Sequence, residues 1–259
     1  MSESLVLVER EGGVLTMTIN RPRVRNAIDG PTAEAIARAV DLLDADDSVV
    51  VGILTGAGGS FCSGMDLKAF VGAAEGERPA ELDGRGFAGI TQTPPRKPLI
   101  AAVEGFALAG GCELALACDL IVAADNASFG LTEVTRGLVA GAGGLVRLPR
   151  RIPQAIALEY LLTGAHMSAP IAHRWGLVNR LTTPGRALAE ATVLASVIAS
   201  NAPLAVAATK RLVVESADWT IAESWAFQRD AVDAVLASKD AREGALAFAE
   251  KRPPKWTGE

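Results

Sequence analysis

The chain has 259 residues, of which 49% are hydrophobic and 21% are charged, and these proportions are ordinary for a globular protein with a sizeable core. Its formal net charge of -5 disfavours nucleic acid as the main partner, because binding to phosphates requires a clustered excess of lysine and arginine. No run approaches the roughly 18 uncharged apolar residues that a membrane span needs, which argues against a membrane protein.

The N-terminus and the cysteines both favour a cytoplasmic location. Residues 1–4 show no basic start followed by an apolar stretch, so no signal peptide is predicted. Cys62, Cys112 and Cys118 form no CxxC pair, and their odd number fits a reducing compartment better than a disulfide framework. We expect all three to be small buried side chains.

The first part of the chain alternates between strand and helix patterns. Residues 14–19, 49–55, 99–103 and 120–124 are apolar and rich in β-branched side chains, which is typical of strands. Helices are predicted for 31–43, with Asp29 as a possible cap, and for 112–118. Between them, residues 70–98 are polar and rich in glycine and proline. This stretch is predicted to be a long, partly helical and mobile insertion.

After about residue 150 the pattern becomes helical. Helical spacing of apolar residues occurs with few strand signals between the segments, so the chain is predicted to combine an α/β part with a helical C-terminal part. The predicted helices are 152–163, 170–175, 186–200, 203–215 and 221–237.

Two glycine-rich loops follow predicted strands and lead into helices. The first reads Gly58-Gly59-Ser60-Phe61-Cys62-Ser63-Gly64-Met65-Asp66-Leu67. The second ends in Gly110-Gly111-Cys112-Glu113, at the expected start of a helix. Unpaired N–H groups and the positive end of the helix dipole suit the stabilisation of a developing oxyanion. Either loop alone is a weak signal, because many strand-to-helix turns are rich in glycine.

Two glutamates are candidates for acid–base chemistry. Glu113 lies in the first helical turn among apolar residues, which favours burial and a raised pKa over a simple interaction with the helix dipole. Glu133 precedes a glycine-rich run, residues 137–144, and from its spacing alone it reads as a solvated loop residue. The glycine run itself is equally consistent with a packing turn before a helix.

Together these motifs resemble the crotonase superfamily, and among its members the enoyl-CoA hydratases most closely. The resemblance covers nearly the whole chain and is weakest at residues 70–94. It is carried by residues 100–113 and 137–144, by Leu162-Thr163-Gly164, by Trp175-Gly176-Leu177-Val178-Asn179 and by Phe248-Ala249-Glu250-Lys251-Arg252-Pro253-Pro254.

The resemblance implies roles for individual residues. The backbone amides of Met65 and Gly110 would polarise a thioester carbonyl, and Glu113 and Glu133 would hold a water molecule and move its proton. The implied substrate-binding residues are Asp66, Leu67, Lys68, Gly141, Phe248 and Lys251. Coenzyme A would arrive as part of the substrate, with no metal and no other cofactor.

The resemblance also implies the architecture and the assembly. The expected fold is an α/β spiral core of ββα turns over residues 1–195. A helical region over residues 196–259 would mediate formation of a homotrimer, or of a hexamer built from two trimers.

Other functions remain as alternatives. An isomerase or another acyl-CoA lyase could use the same scaffold, and a non-catalytic homologue could bind a partner such as RNA. His166 and His173, the only histidines, lack partners for a metal site or a Ser-His-Asp triad. Arg21, Arg23 and Arg25 could touch nucleotide phosphates, although a solvated turn is the simpler interpretation.

Overall fold

Three sheets, eleven α-helices and three short 3₁₀ helices make up the computed structural model, which describes residues 4–74 and 77–259. Residues 1–3 lie outside this range. The prediction that there is no signal peptide rests partly on these residues. The strands are β1 Val6–Glu11, β2 Val14–Ile19, β3 Val51–Gly56, β4 Glu81–Leu82, β5 Gly86–Phe87, β6 Leu99–Val103, β7 Phe106–Leu108, β8 Leu120–Ala124, β9 Ser128–Gly130, β10 Met167–Ser168 and β11 Arg180–Thr182. The helices are α1 Gly30–Ala45, α2 Leu67–Gly72, α3 Gly110–Ala117, α4 Gly144–Arg151, α5 Gln154–Thr163, α6 Ala169–Arg174, α7 Ala187–Ala199, α8 Pro203–Glu215, α9 Ile221–Phe227, α10 Arg229–Leu236 and α11 Lys239–Glu250.

The larger sheet has six strands in the order β1, β2, β3, β6, β8 and β11. β1 and β2 are antiparallel, and every other neighbouring pair is parallel. The central strands β3 and β6 are buried aliphatic runs, as expected for a parallel sheet that is covered on both faces. A smaller sheet pairs β7 with β9 in parallel and β9 with β10 antiparallel.

The chain passes repeatedly from the six-stranded sheet to the three-stranded sheet and then into a helix, in successive ββα turns. β6 of the larger sheet leads to β7 of the smaller sheet and then to α3, and β8 leads in the same way to β9 and, after a 3₁₀ turn, to α4. β3 starts a similar turn: Cys62 forms a parallel bridge to Ala107 of β7 before the chain enters α2. This arrangement confirms the predicted α/β core of ββα turns.

The two faces of the larger sheet have separate apolar cores. One face packs against α1, α3 and the smaller sheet, and the other is covered by α7, whose Ala191 and Ala195 are fully buried against β3 and β6. The division predicted at residue 195 therefore falls inside α7. The chain leaves the sheet only at residues 200–202, before α8 begins at Pro203.

The C-terminal helices are fastened to the core by polar contacts. Lys210 of α8 pairs with Asp119 at 2.7 Å and donates to the carbonyl oxygens of Pro95 and Lys97. At the other end, the buried carboxylate of Asp240 accepts hydrogen bonds from the amides of Thr257 and Gly258, so the tail folds back over α11.

Large apolar side chains on these helices face away from their own subunit. Ile221 is 85% exposed, Trp225 is 70% exposed and Phe248 is 88% exposed. Large apolar side chains with this much exposure favour a surface that packs against another molecule.

We expect the protein to form a trimer or a multiple of it, with the C-terminal helices between subunits. Multi-angle light scattering of the purified protein measures the particle mass. Trp225→Glu should weaken this assembly. Leu42→Glu also replaces an exposed apolar side chain by a charge, but on α1, and should not weaken it. A stable monomer at micromolar concentration would contradict the prediction.

No single helix among residues 4–74 and 77–259 is long and apolar enough to cross a membrane. One bent pair of helical segments in these ranges, α7 with residues 203–218, has the length and apolar composition of a span.

Candidate active site

Two neighbouring loops form the base of the site. They follow parallel segments that are joined by hydrogen bonds from the Cys62 amide to Phe106 O and from the Leu108 amide to Cys62 O. The loops touch at Gly64, where an added Cβ would lie 3.0 Å from the amide nitrogen of Gly110. Gly64 has a φ of +93°, so both its backbone and its lack of a side chain permit this approach.

The amides of Met65 and Gly110 are free to donate. Gly110 is the first residue of α3, where an N–H group has no acceptor within the helix. In the part of the chain that the structure describes, neither amide donates to a backbone or side-chain acceptor. The residue before Gly110, Ala109, has φ 48° and ψ -127°, and its own amide donates to Gly130 O at 2.7 Å. The two predicted oxyanion donors are thus brought together on adjacent loops.

Glu113 points from the first turn of α3 into the interior and is only 3% exposed. Its Oε1 accepts a hydrogen bond of 2.9 Å from the amide of Gly144, the first residue of α4. The carboxyl group therefore sits between the starts of two helices, where positive dipole ends favour its charge. Burial has the largest effect and, together with the nearby charge of Glu133, raises the pKa of Glu113 to about 7.

Glu133 begins the 3₁₀ turn Glu133–Arg136 and is half-buried. Burial raises the pKa of this carboxyl group as well. Its Oε2 atom is buried and has no hydrogen-bond partner within the described residues. A buried carboxyl oxygen without a partner is costly in a folded protein, which points to a ligand or a water at this position. The simple reading of Glu133 as a solvated loop residue was therefore wrong.

The arrangement suits proton transfer next to a polarised carbonyl group. Two desolvated carboxyl groups, close enough for the charge of one to affect the other, can act as a general base and a general acid near neutral pH. Two free amides on adjacent loops can bind an oxyanion.

The predicted substrate-binding residues of the first loop have different environments. Leu67 is 54% exposed and Lys68 is also exposed, so both are free to contact a ligand. The carboxylate of Asp66 instead pairs with Arg21 at 3.1 Å and caps α2 through the Lys68 amide. Arg21 also pairs with Asp29, so it is a half-buried link between two helix starts and not a solvated residue.

The other three predicted substrate-binding residues are exposed. Gly141 lies in the turn that precedes α4. Phe248 is on α11, a helix that packs on α10, and Lys251 ends α11 with a left-handed backbone at φ 53°. Within the described residues no hydrogen bond or salt bridge joins Phe248 or Lys251 to Glu113 or Glu133 of the same subunit, so their role in binding stays a prediction.

Two residues next to the catalytic groups were missed by the sequence analysis. The ring of Phe87, in β5, lies directly against Gly110: a Cβ added to Gly110 would be 2.6 Å from its Cζ atom. Arg147, in α4, donates to Thr91 O at 2.5 Å and to Ala142 O at 3.4 Å. Phe87 belongs to the segment predicted to be mobile, yet Phe87, Ala88 and Ile90 are buried. Residues 75–76 of that segment lie outside the described residues.

His173 and the three cysteines lie in places where they support the fold. Nδ1 of His173 is 2.9 Å from Val178 O, within the turn after α6. The three cysteines are free and buried, as predicted, and burial raises the pKa of each thiol to about 12. Such thiols are poor nucleophiles at neutral pH.

The raised pKa of Glu113 leads to a prediction about stability. Because this pKa is about 7 in the folded protein and 4.5 in the reference state, ionisation opposes folding as the pH rises from 4.5 through 7. Glutamine has no such penalty, so Glu113→Gln should stabilise the protein at pH 8 relative to wild type, by an amount on the order of 3 kcal/mol, and much less at pH 5. Thermal unfolding at both pH values measures the difference.

Glu159, an exposed glutamate on α5, provides the control for this measurement. Glu159→Gln should give the same small change at both pH values. A stability difference for Glu113→Gln that does not vary with pH would show that the carboxyl group is not desolvated.

Comparisons with known proteins identify the family of the chain. The family model described as "Enoyl-CoA hydratase/isomerase" matches residues 9–259. The crystal structure of an enoyl-CoA hydratase from Mycobacterium tuberculosis H37Rv superposes with a TM-score of 0.96 at 54% identity, over 99% of this chain and 100% of the other. The carnitinyl-CoA dehydratase of Proteus mirabilis is 46% identical over the whole of both chains. The crystal structure of a carnitinyl-CoA hydratase from Mycobacterium avium covers all of both chains with a TM-score of 0.78 at 45% identity.

Proposed function

The chain belongs to the enoyl-CoA hydratase/isomerase family and is a hydro-lyase, and we propose that it adds water syn across the 2,3 double bond of a trans-2-enoyl-CoA to give a 3-hydroxyacyl-CoA. The proposed reaction needs no metal and no redox cofactor, and coenzyme A arrives as part of the substrate.

In the proposed mechanism, the amides of Met65 and Gly110 stabilise the enolate-like thioester that forms when water attacks. Glu113 orients the water and removes its proton as the oxygen bonds to the β-carbon. Glu133 donates a proton to the α-carbon. Dehydration of the 3-hydroxyacyl-CoA uses the same groups with their roles exchanged.

The observation that carries this proposal is the pair of desolvated glutamates. One oxygen of Glu113 is held by the Gly144 amide, and the buried Oε2 of Glu133 has no partner within the described residues. A water between the two carboxyl groups would satisfy that oxygen, and hydration requires a water held in this way. A double-bond isomerase needs only one proton-shuttling carboxyl group, so a second buried carboxyl group without a partner favours hydration over isomerisation.

A second candidate is the dehydration of carnitinyl-CoA. Relatives that bear this activity in their names match the whole chain at 45–46% identity, a level not far below that of the enoyl-CoA hydratase from Mycobacterium tuberculosis. The chemistry is the same, since loss of water from a 3-hydroxyacyl-CoA gives a 2-enoyl-CoA. The two candidate substrates differ in one group: the acyl chain of carnitinyl-CoA carries a trimethylammonium group, and that of a simple 3-hydroxyacyl-CoA does not.

A turnover screen in ¹⁸O-labelled water tests the function. Crotonyl-CoA, longer trans-2-enoyl-CoA thioesters, a trans-3-enoyl-CoA and carnitinyl-CoA are each incubated with the enzyme, and products are identified by mass. We expect 3-hydroxyacyl-CoA carrying one ¹⁸O atom. Migration of the double bond without uptake of ¹⁸O would identify an isomerase, and no turnover of any thioester would favour a binding protein.

The contacts with coenzyme A form part of the proposal. Lys68 at the start of α2 is exposed on the same loop as Met65, which supports its contact with the nucleotide part of the substrate. Phe248 and Lys251 are exposed on α11, so they are available to a substrate or to another subunit. Gly141 is exposed near α4, and Leu67 is exposed next to Lys68.

A further inference from the structure

Arg147 occupies an unusual place for a cation. It is the fourth residue of α4, near the positive end of the helix dipole, and it is half-buried. Burial lowers the pKa of its guanidinium, which means that the surroundings disfavour the charge. A cation is expected to be stable at the other end of a helix. A specific set of contacts must therefore hold Arg147 where it is.

Those contacts join two separate segments of chain. Nη2 donates to Thr91 O at 2.5 Å, and Nη1 donates to Ala142 O at 3.4 Å. The guanidinium lies over Gly143, where an added Cβ would be 2.1 Å from Nη1. Only the planar fork of an arginine can reach both carbonyl oxygens from one position.

One of these segments covers the oxyanion donor Gly110. The Thr91 amide donates to Phe87 O at 3.3 Å, and the ring of Phe87 lies against the Cα atom of Gly110. The other segment binds Glu113: two residues after Ala142, the Gly144 amide donates to Glu113 Oε1. Arg147 thus contacts both segments: residues 87–91, which pack against Gly110, and residues 142–144, which bind the Glu113 carboxyl group.

Arg147 also faces Glu113 electrostatically. Two charged groups affect the pKa of the Glu113 carboxyl: Glu133, from the 3₁₀ turn, raises it, and Arg147, from α4, lowers it, as do the backbone amides of Gly144 and Ala142. The neighbouring thiol of Cys112, on α3 itself, is buried and neutral at ordinary pH. Arg147 is the cation that opposes the combined effect of burial and Glu133.

We propose that Arg147 is a positioning residue, which on the function proposed above holds the Gly110 amide and the Glu113 carboxyl group in one arrangement by joining residues 87–91 to residues 142–144. It touches neither substrate nor reacting atoms. Its effect on the reaction passes through Phe87 and Gly110 on one side and through Gly144 and Glu113 on the other.

Two substitutions separate its geometry from its charge. Arg147→Lys keeps the charge, but an ammonium group cannot span both carbonyl oxygens, so kcat should fall about 10- to 100-fold with little change in KM. Arg147→Gln removes the charge as well, and the pKa of Glu113 should rise above its wild-type value. In Arg147→Lys that pKa should stay near its wild-type value.

Two arginines of the same helix serve as controls. Arg150 is exposed and pairs with Asp218, so Arg150→Gln should leave all readouts unchanged. Arg151 is half-buried and donates to Cys118 O, so Arg151→Gln should lower the melting temperature without moving the pKa of Glu113. It reports what a purely structural loss in α4 looks like.

The primary measurement does not depend on turnover. The pKa of Glu113 is followed in the free enzyme by ¹³C NMR of protein labelled at glutamate Cδ, with its signal assigned by its absence in Glu113→Gln. A raised value in Arg147→Gln alone supports the proposal. An unchanged value in Arg147→Gln overturns it, whether or not the wild type hydrates any thioester; failure of the proposed function would appear separately, as absence of turnover in the wild type.

Kinetics give the second arm. If Arg147→Lys and Arg151→Gln reduce kcat equally, Arg147 has only a structural role and the proposal fails. Should Arg147→Gln not fold, Arg147→Lys keeps the proposal testable, and wild-type kcat in Arg147→Lys would contradict it.

Discussion

Replacement of either Glu113 or Glu133 by glutamine should reduce hydration of a good substrate by roughly 100-fold or more, the usual scale of acid–base catalysis. Glutamine has nearly the size of glutamate and its Oε1 can still accept the hydrogen bond from Gly144, so the fold of the site is kept. It cannot take up or release the proton. Acyl-CoA affinity should change little, because neither carboxyl group is needed to hold the nucleotide. Steady-state kinetics with separate binding measurements test this expectation.

The double variant carries further information. Both carboxyl groups serve one water and one transition state, so the double variant should lose less activity than the product of the two single losses. Glu159→Gln is the matched control and should retain wild-type activity. A large loss at one glutamate and a small loss at the other would instead indicate an isomerase. Hydration at the wild-type rate by Glu133→Gln would refute a mechanism with two glutamates.

Gly110→Val should reduce turnover about 100- to 1,000-fold, which is the typical effect of losing one oxyanion donor. Gly110 does not have a positive φ, so its backbone is open to other residues. The obstacle is Phe87, whose ring would lie 2.6 Å from the new Cβ, and either the ring or the amide of residue 110 must move.

Gly72→Val is a suitable control for this substitution, because no atom of the described residues lies within 4 Å of an added Cβ at Gly72 and its φ is not positive. It should leave turnover near the wild-type value. Circular dichroism and light scattering establish that both variants fold and assemble. A normally folded Gly110→Val with near-full activity would show that its amide does not bind the oxyanion.

The buried strands could be predicted because their residues carry the pattern themselves. β2, β3, β6 and β8 are apolar runs, and the structure places them close to their predicted bounds. β1 was missed because five of its six residues are exposed at the edge of the sheet, which leaves no burial pattern to detect. β7 and β9 have three residues each and owe their strand geometry to pairing with distant segments.

In the helical part, local pattern and tertiary contact gave different results. The predicted helix at 221–237 is divided at Gln228 into α9 and α10, and α11 was not predicted although Ser238 caps it. The capping box of Thr220 and Glu223 starts α9, but no helix-breaking residue announces the division. The predictions for α1, with its Asp29 cap, and for α8 agree with the structure.

The site shows the same limit. Glu113 and Gly110 could be identified because they are neighbours in a helix start with a recognisable motif. The environment of Glu133 could not, since its burial comes from the folding of several segments around it. Phe87 lies where the resemblance is weakest, and its contact with Gly110 spans more than 20 residues. For Arg147 a local signal existed: a cation in the first turns of a helix, directly after a glycine run.

The backbone of Ala109 has an energetic consequence for the reaction. Its combination of φ 48° and ψ -127° is one that residues with a side chain rarely adopt, and strain of this kind costs about 1–3 kcal/mol. Hydrogen bonds to Gly130, Cys112 and Glu113 hold Ala109 in place, and its ψ angle sets the direction of the Gly110 amide. A relaxed backbone would turn that N–H group elsewhere. The strain therefore lowers the free energy of unfolding and not the rate of each turnover. The Gly110 N–H group needs no reorientation when charge develops on the substrate.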